Sequence, residues 1–176
     1  MLIIDDFAMG PPAGESWRAF SDRVMGGVSD PRLQPAVIDG RACLRLTGDV
    51  RLENNGGFIQ MTRDLAPAGQ TLDASGFAAV ALTVCGNGEA YGCHLRTPAT
   101  MRPWQSYRAG FRATPEWREV ILPFADFLPH RLERPLDTGQ LRRIGLVAIG
   151  RAFSADLAVA RVALLDPAEL DAVRQK

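Results

Sequence analysis

Short runs of apolar or alternating residues, each closed by Gly, Pro or Asn, recur along nearly the whole chain, and this cadence restricts it to a β architecture. Phe77–Cys85 is apolar on both faces and has no flanking helical caps. It reads as a central strand, although periodicity alone leaves a buried helix open. Leu141–Gly150 and Leu157–Leu165 are similar near-continuous apolar strands, and Leu2–Phe7 a short first one. Other segments alternate, as half-buried strands do. Ala42, Leu44 and Leu46 oppose Arg41, Arg45 and Thr47; Tyr91, Cys93 and Leu95 oppose Gly92, His94 and Arg96; Tyr107, Ala109 and Phe111 oppose Arg108, Gly110 and Arg112. If the apolar sides share a core, His94, Arg96, Arg108 and Arg112 fall on one basic face.

The connections are equally readable. Met9–Gly14 forms a loop, Trp17 and Phe20 mark an extended segment, and Met25-Gly26-Gly27 a sharp turn. Asn54-Asn55-Gly56-Gly57 predicts a hairpin into Phe58–Thr62, because Asn and Gly tolerate positive φ. Trp117–Leu122 is a strand stopped by Pro123, and Phe124–Pro129 a connector too broken to be regular. Only the end reads as helical: Asp166 as N-cap, Pro167 first and Glu169 third open a helix toward Lys176. Roughly nine or ten short strands, with no βαβ alternation and no internal repeat, predict an all-β antiparallel sandwich or jelly roll. One domain is expected, with its core over about 5–165 and the helix over 166–176.

Composition excludes several functions. Lys+Arg and Asp+Glu both number 20, so no global positive field draws the chain to nucleic acid or an anionic membrane. Cys43, Cys85 and Cys93 are an odd number, none in a CxxC, and read as buried strand thiols; no zinc site or other cofactor is expected. Met1–Asp6 lacks the basic and long apolar regions of a signal peptide, which predicts a reducing cytoplasm. Apolar runs fall short of the ~18 residues that span a bilayer, so membrane contact is expected only through a partner.

The candidate binding residues are Asp22, Arg23, Asn55, Arg96, Trp104, Tyr107 and Arg108. Asp22-Arg23 reads either as a ligand contact or as a loop brace, with Arg23 donating to carbonyls and Asp22 accepting from the amides of Val24 to Gly27. Asn55 reads as a sugar contact or a turn residue. Arg96 and Arg108, beside Trp104 and Tyr107, combine forked cations with aromatic surface, as protein interfaces and carbohydrate or anion sites do. Gly26-Gly27 lacks the strand-to-helix context of a phosphate loop. Neither histidine, His94 nor His130, stands near a recognisable nucleophile, His130 reads as exposed loop, and no two carboxylates are placed together.

Trp17 with Ser21-Asp22-Arg23-Val24-Met25-Gly26-Gly27-Val28-Ser29, then Asn55-Gly56-Gly57-Phe58, Leu95-Arg96, Trp104, Ser106-Tyr107 and Phe111, then Trp117, Val120, Pro123-Phe124 and Phe127, resemble the complex I intermediate-associated protein 30 family. The resemblance runs from about Asp5 to Leu165. It implies a galactose-binding-like β-sandwich and a role like that of the family's mitochondrial representative, an assembly factor for NADH:ubiquinone oxidoreductase. The expected function is therefore a non-catalytic module holding an intermediate of a respiratory or other membrane-associated complex. The alternatives are a module for a sugar or anionic metabolite and, third, a hydrolase or lyase, which would need two carboxylates, or His94 and a carboxylate, in one cleft.

Overall fold

The computed structural model describes residues 1–8 and 16–176; the expected Met9–Gly14 loop lies outside the described residues. Twelve strands among them form two antiparallel sheets. The first sheet contains β1 (Leu2–Asp5), β3 (Arg32–Ile38), β4 (Arg41–Val50), β6 (Ala79–Gly86), β9 (Arg118–Pro123) and β12 (Phe153–Leu165), in the order β3-β4-β12-β6-β9. β12 is long enough to pair with β4 over Phe153–Val159 and with β1 near Val162–Leu164. The second sheet contains β2 (Trp17–Ser21), β5 (Phe58–Asp64), β7 (Ala90–Arg96), β8 (Ser106–Arg112), β10 (Leu128–His130) and β11 (Arg143–Ile149), in the order β10-β8-β7-β11-β5-β2. The fold is the expected β-sandwich, and the Phe77–Cys85 run supplies its central strand β6.

β6 and β12 are apolar on both faces because both faces are covered. On β6, Val80, Leu82 and Val84 enter the core between the sheets, while Ala79 and Ala81 pack outward under Leu170 of the C-terminal helix α1 (Pro167–Arg174). Asp166 caps α1 in a reciprocal capping box with Glu169, as its sequence predicts. Cys43 and Cys85 sit on the same outer face beneath Trp117, and all three cysteines are free and buried.

Two connections depart from expectation. β4 and β5 lie in different sheets, so Asn54–Gly57 is a crossover and not a hairpin turn. Asn54 and Asn55 do take left-handed backbone angles. The amides that follow, Gly57 and Phe58, donate to a carboxylate of another loop instead of a neighbouring strand, which turns the chain from one sheet to the other. The connector after Pro123 contains a 3₁₀ turn at Phe124–Asp126 and then the three-residue strand β10, the edge of the second sheet. β3 has no clear alternation because Pro35 interrupts it, which an edge strand tolerates.

Candidate functional site

The outward face of the second sheet carries a groove of about 610 Å³. Register explains its shape. His94 pairs with Arg108 on β8 and with Gly145 on β11, and Gly92 pairs with Gly110 and Val147. Gly145 therefore lowers the floor, with Gln60 leaning over it and the His94 ring lying against Gly92, while Gln60, His94, Arg96, Arg108 and Arg143 rise on the same face. His130, opposite Ser106 on β10, closes one side; Phe20 on β2 and Phe58 at the start of β5 close the other. His130 is thus a half-buried groove residue, correcting its reading as exposed loop. The sequence signal for it is the short Leu128-Pro129-His130 run, too brief to register as a strand.

Among the described residues no Asp or Glu lines this groove. Its arginines are nevertheless not equivalent. Arg96 donates to the carbonyls of Thr100, Arg102, Pro103 and Gln105 at 2.7–3.3 Å, and so staples the loop that presents Trp104. Arg143 is paired with Asp64 at 2.8 Å. Arg108 donates only through Nε, to Ser106 Oγ at 2.8 Å, and its two terminal nitrogens have no partner among the described residues. Burial lowers the Arg108 pKa, and neighbouring Arg131 lowers it further. Burial, then Arg108 and His130, bring His94 down to about 3, so its imidazole is neutral at physiological pH.

Trp104 stands half exposed on the groove's rim with Val24 and Met25. Asn55 also lines it. Tyr107 does not: it points into the core from the opposite face of β8, fully buried, and its hydroxyl donates to Pro135 O at 3.2 Å. The alternation that puts Arg108 in the groove removes Tyr107 from it. Arg112 likewise turns away to Gly88 O.

Asp22 and Arg23 belong to a different construction. Asp22 is completely buried and accepts from the Ser29 amide (2.9 Å), the Ser29 hydroxyl (2.6 Å), the Gly57 amide (2.5 Å) and the Phe58 amide (3.3 Å). The amides are those of Ser29 and the crossover loop, not Val24 to Gly27 as the sequence suggests. Arg23 donates to the carbonyls of Val28 and Ser29. Burial pushes the Asp22 pKa up, but these hydrogen bonds outweigh it and hold the carboxyl below its ordinary value. The glycines are explained by close approach: a Cβ on Gly56 would stand 2.5 Å from Asp22 Oδ2, and one on Gly27 would also collide with the carboxylate.

In fold, the chain is similar to the family 11 carbohydrate-binding module from Clostridium thermocellum, solved with a β-1,3-1,4-mixed-linked tetrasaccharide, at TM-score 0.71 and 15% identity, covering 94% of this chain and 95% of that one. It is also similar to a family 30 carbohydrate-binding module, at TM-score 0.60 and 14% identity over 84% and 82% of the two chains. A third similarity is to an exo-β-agarase, at TM-score 0.61 and 9% identity over 94% of this chain but 25% of the enzyme. No functionally curated protein matches the chain in sequence. The family resemblance is borne out over residues 7–159, and the chain belongs to the complex I intermediate-associated protein 30 family.

Proposed function

We propose that this protein is a non-catalytic binding module of the assembly-factor kind, which holds a protein partner from a respiratory or other membrane-associated complex in the groove of the second sheet. The observation that carries this reading is the groove's composition. Val24, Met25 and Trp104 are exposed on the rim, four arginines reach the lining, and carboxylates are missing among the described lining residues. Enrichment in Trp, Met and Arg with depletion of Asp and Glu is the signature of interface cores, where a few anchors dominate binding. Family membership supports the same reading. No helix among the described residues is long and apolar enough to cross a membrane. The location that goes with the proposed role is cytoplasmic, with membrane association through the partner.

The test is affinity capture from the native cells in mild detergent with wild type and Trp104→Ala in parallel. Recovery of membrane-complex subunits by wild type and their loss with the variant is expected. Repeated recovery of no such subunit by wild type would overturn the proposal.

A second reading, a carbohydrate-binding module, is favoured by the aromatic surfaces of Phe20, Phe58 and Trp104 around Gln60 and Asn55, on a fold like that of the carbohydrate-binding modules. A glycan screened at about 100-fold its dissociation constant adds roughly 2.7 kcal/mol, an easily measured rise in Tm. Its absence across a broad panel would remove this reading.

A further inference from the structure

We propose that Arg108 is the centre of a carboxylate subsite, flanked by His94, His130 and Arg131, and that the protein partner places an Asp or Glu side chain of an exposed segment upon it. This deepens the groove reading above and rests on it.

Three observations converge on Arg108. The first is unused capacity. A guanidinium carries five N–H donors in a planar fork. Arg108 uses Nε on Ser106, which fixes the plane of the fork, and leaves the outer edge free. Arg96, one strand away on the same face, shows the contrast, since its terminal nitrogens are bound to four backbone carbonyls.

The second is an uncompensated charge. Arg108 is half-buried, its charged neighbour is Arg131, the two imidazoles beside it are held in their neutral form, and no acid lines the groove among the described residues. Arg143, the next cation along the floor, has Asp64. A half-buried cation set among other potential cations is stabilised by an anion arriving from outside, and a carboxylate matches the fork with two parallel hydrogen bonds.

The third is room. The floor beside Arg108 and His94 is Gly145 on one flank and Gly92 with Gly110 on another. The His94 ring lies against Gly92, but no side chain covers the exposed Gly110 beside Arg108, so an entering carboxylate on a short stem reaches the fork from over β8. Gln60 Oε1 hangs over Gly145 and limits the depth. The Trp104 rim provides apolar contact for the residue next to the acid. Arginine paired with a carboxylate inside an apolar rim gives orientation and partner choice more than raw affinity.

The probe is the blocked tetrapeptide acetyl-Ala-Glu-Leu-Ala-amide, titrated into isotopically labelled full-length protein and followed by the Arg108 Nε–H and imidazole resonances. Matched titrations use the Gln peptide and inorganic phosphate. The Glu peptide is expected to shift Arg108, His94 and His130 and to bind at least about tenfold more tightly than the Gln peptide, a difference of about 1.4 kcal/mol. Its carboxylate should also raise the pKa of His94 and His130. The groups facing these imidazoles are Arg108 on β8, Arg131 after β10, Arg96 on β7 and Arg143 on β11, all cations, so the anion is the one new influence of opposite sign.

Arg108→Gln should abolish the Glu preference, and Arg131→Gln, at an exposed position, should weaken binding severalfold if the first variant fails to fold. Equal binding of the Glu and Gln peptides, unmoved His pKa values, or phosphate binding as tightly as the Glu peptide would each overturn the carboxylate subsite. Failure of the groove reading looks different: no subunit is captured by wild type, whatever the peptide does. Capture that survives Arg108→Gln unchanged refutes the subsite and leaves the groove reading intact.

Discussion

Asp22 and Arg108 are two charged side chains withdrawn from water in the same sandwich, and they differ in what the fold does with them. Asp22 is surrounded by donors: a hydroxyl and three amides from two loops converge on its oxygens. Arg108 has the like charge of Arg131 beside it, no acid in the groove among the described residues, and a single hydrogen bond to a side chain. The first arrangement closes upon itself and leaves nothing for a ligand to satisfy. The second leaves the terminal nitrogens of the fork free for the carboxylate proposed above. Charge and burial do not separate a structural residue from a binding residue; the fate of the hydrogen-bonding capacity does.

The hardest test of this contrast is Asp22→Ala. It removes the acceptor for four donors in a site without access to water, each costing roughly 1–3 kcal/mol when left buried and unpaired. A loss of about 4 kcal/mol or more in urea denaturation, or failure to fold, is expected. A change below about 1 kcal/mol would show that the loops stand without their carboxylate and would break the comparison. Gly56→Ala should reproduce part of the loss, about 2 kcal/mol, because its methyl group occupies the space of Asp22 Oδ2.

Arg96→Ala probes an intermediate case, a groove cation whose donors are nevertheless committed to the fold. Releasing four carbonyls of a partly exposed loop should cost about 1–2 kcal/mol. Faster amide hydrogen exchange should be confined to Thr97–Gln105. Unchanged exchange there would move Arg96 to the side of Arg108, as a free cation of the groove.

How much of this was legible in the sequence follows from the kind of interaction involved. Alternation in β7 and β8 assigns His94, Arg96 and Arg108 to one face because strand geometry has period two, and the same rule, applied without preference for aromatics, places Tyr107 in the core. The Asp22 loop is marked by Gly26-Gly27 and Asn55-Gly56-Gly57, but their connection spans more than thirty residues and passes through one carboxylate. Local turn chemistry therefore reads the second marker as a hairpin. The partnering of Arg96 is invisible before folding, since it depends on where a loop rich in Pro and Thr turns its carbonyls, and the free fork of Arg108 is settled only by what the folded strands place around it.

Acid titration sharpens the comparison from the other side. His94 has its folded pKa depressed from 6.5 to about 3, so between these values the unfolded chain binds a proton that the folded one does not. Stability is full above pH 6.5 and falls as the pH drops through this window, with a slope of up to about 1.4 kcal/mol per pH unit. Asp22, also depressed, contributes in the same direction at lower pH: its stabilisation is present above 3.8 and is lost as the pH falls through its folded value. Unfolding free energies measured from pH 7 to 4.5 should therefore decline, and His94→Gln should flatten the decline. A slope unchanged in the variant would mean that His94 takes up its proton within the folded groove, and so that its imidazole is not withdrawn from water there.

Trp104→Ala carries the smallest effect on the fold and the sharpest separation of the two regions. Its ring is half exposed, and the loop beneath it is held through backbone carbonyls by Arg96, so nothing structural depends on the indole. The stability change should stay within about 0.5 kcal/mol, as for surface substitutions away from buried networks. Partner capture should fall sharply, because an aromatic anchor at an interface typically accounts for 2 kcal/mol or more of binding, a loss of roughly thirtyfold. The opposite pair of outcomes, an unstable domain that still captures its partner, would make the rim part of the scaffold and move the working surface elsewhere on the sandwich.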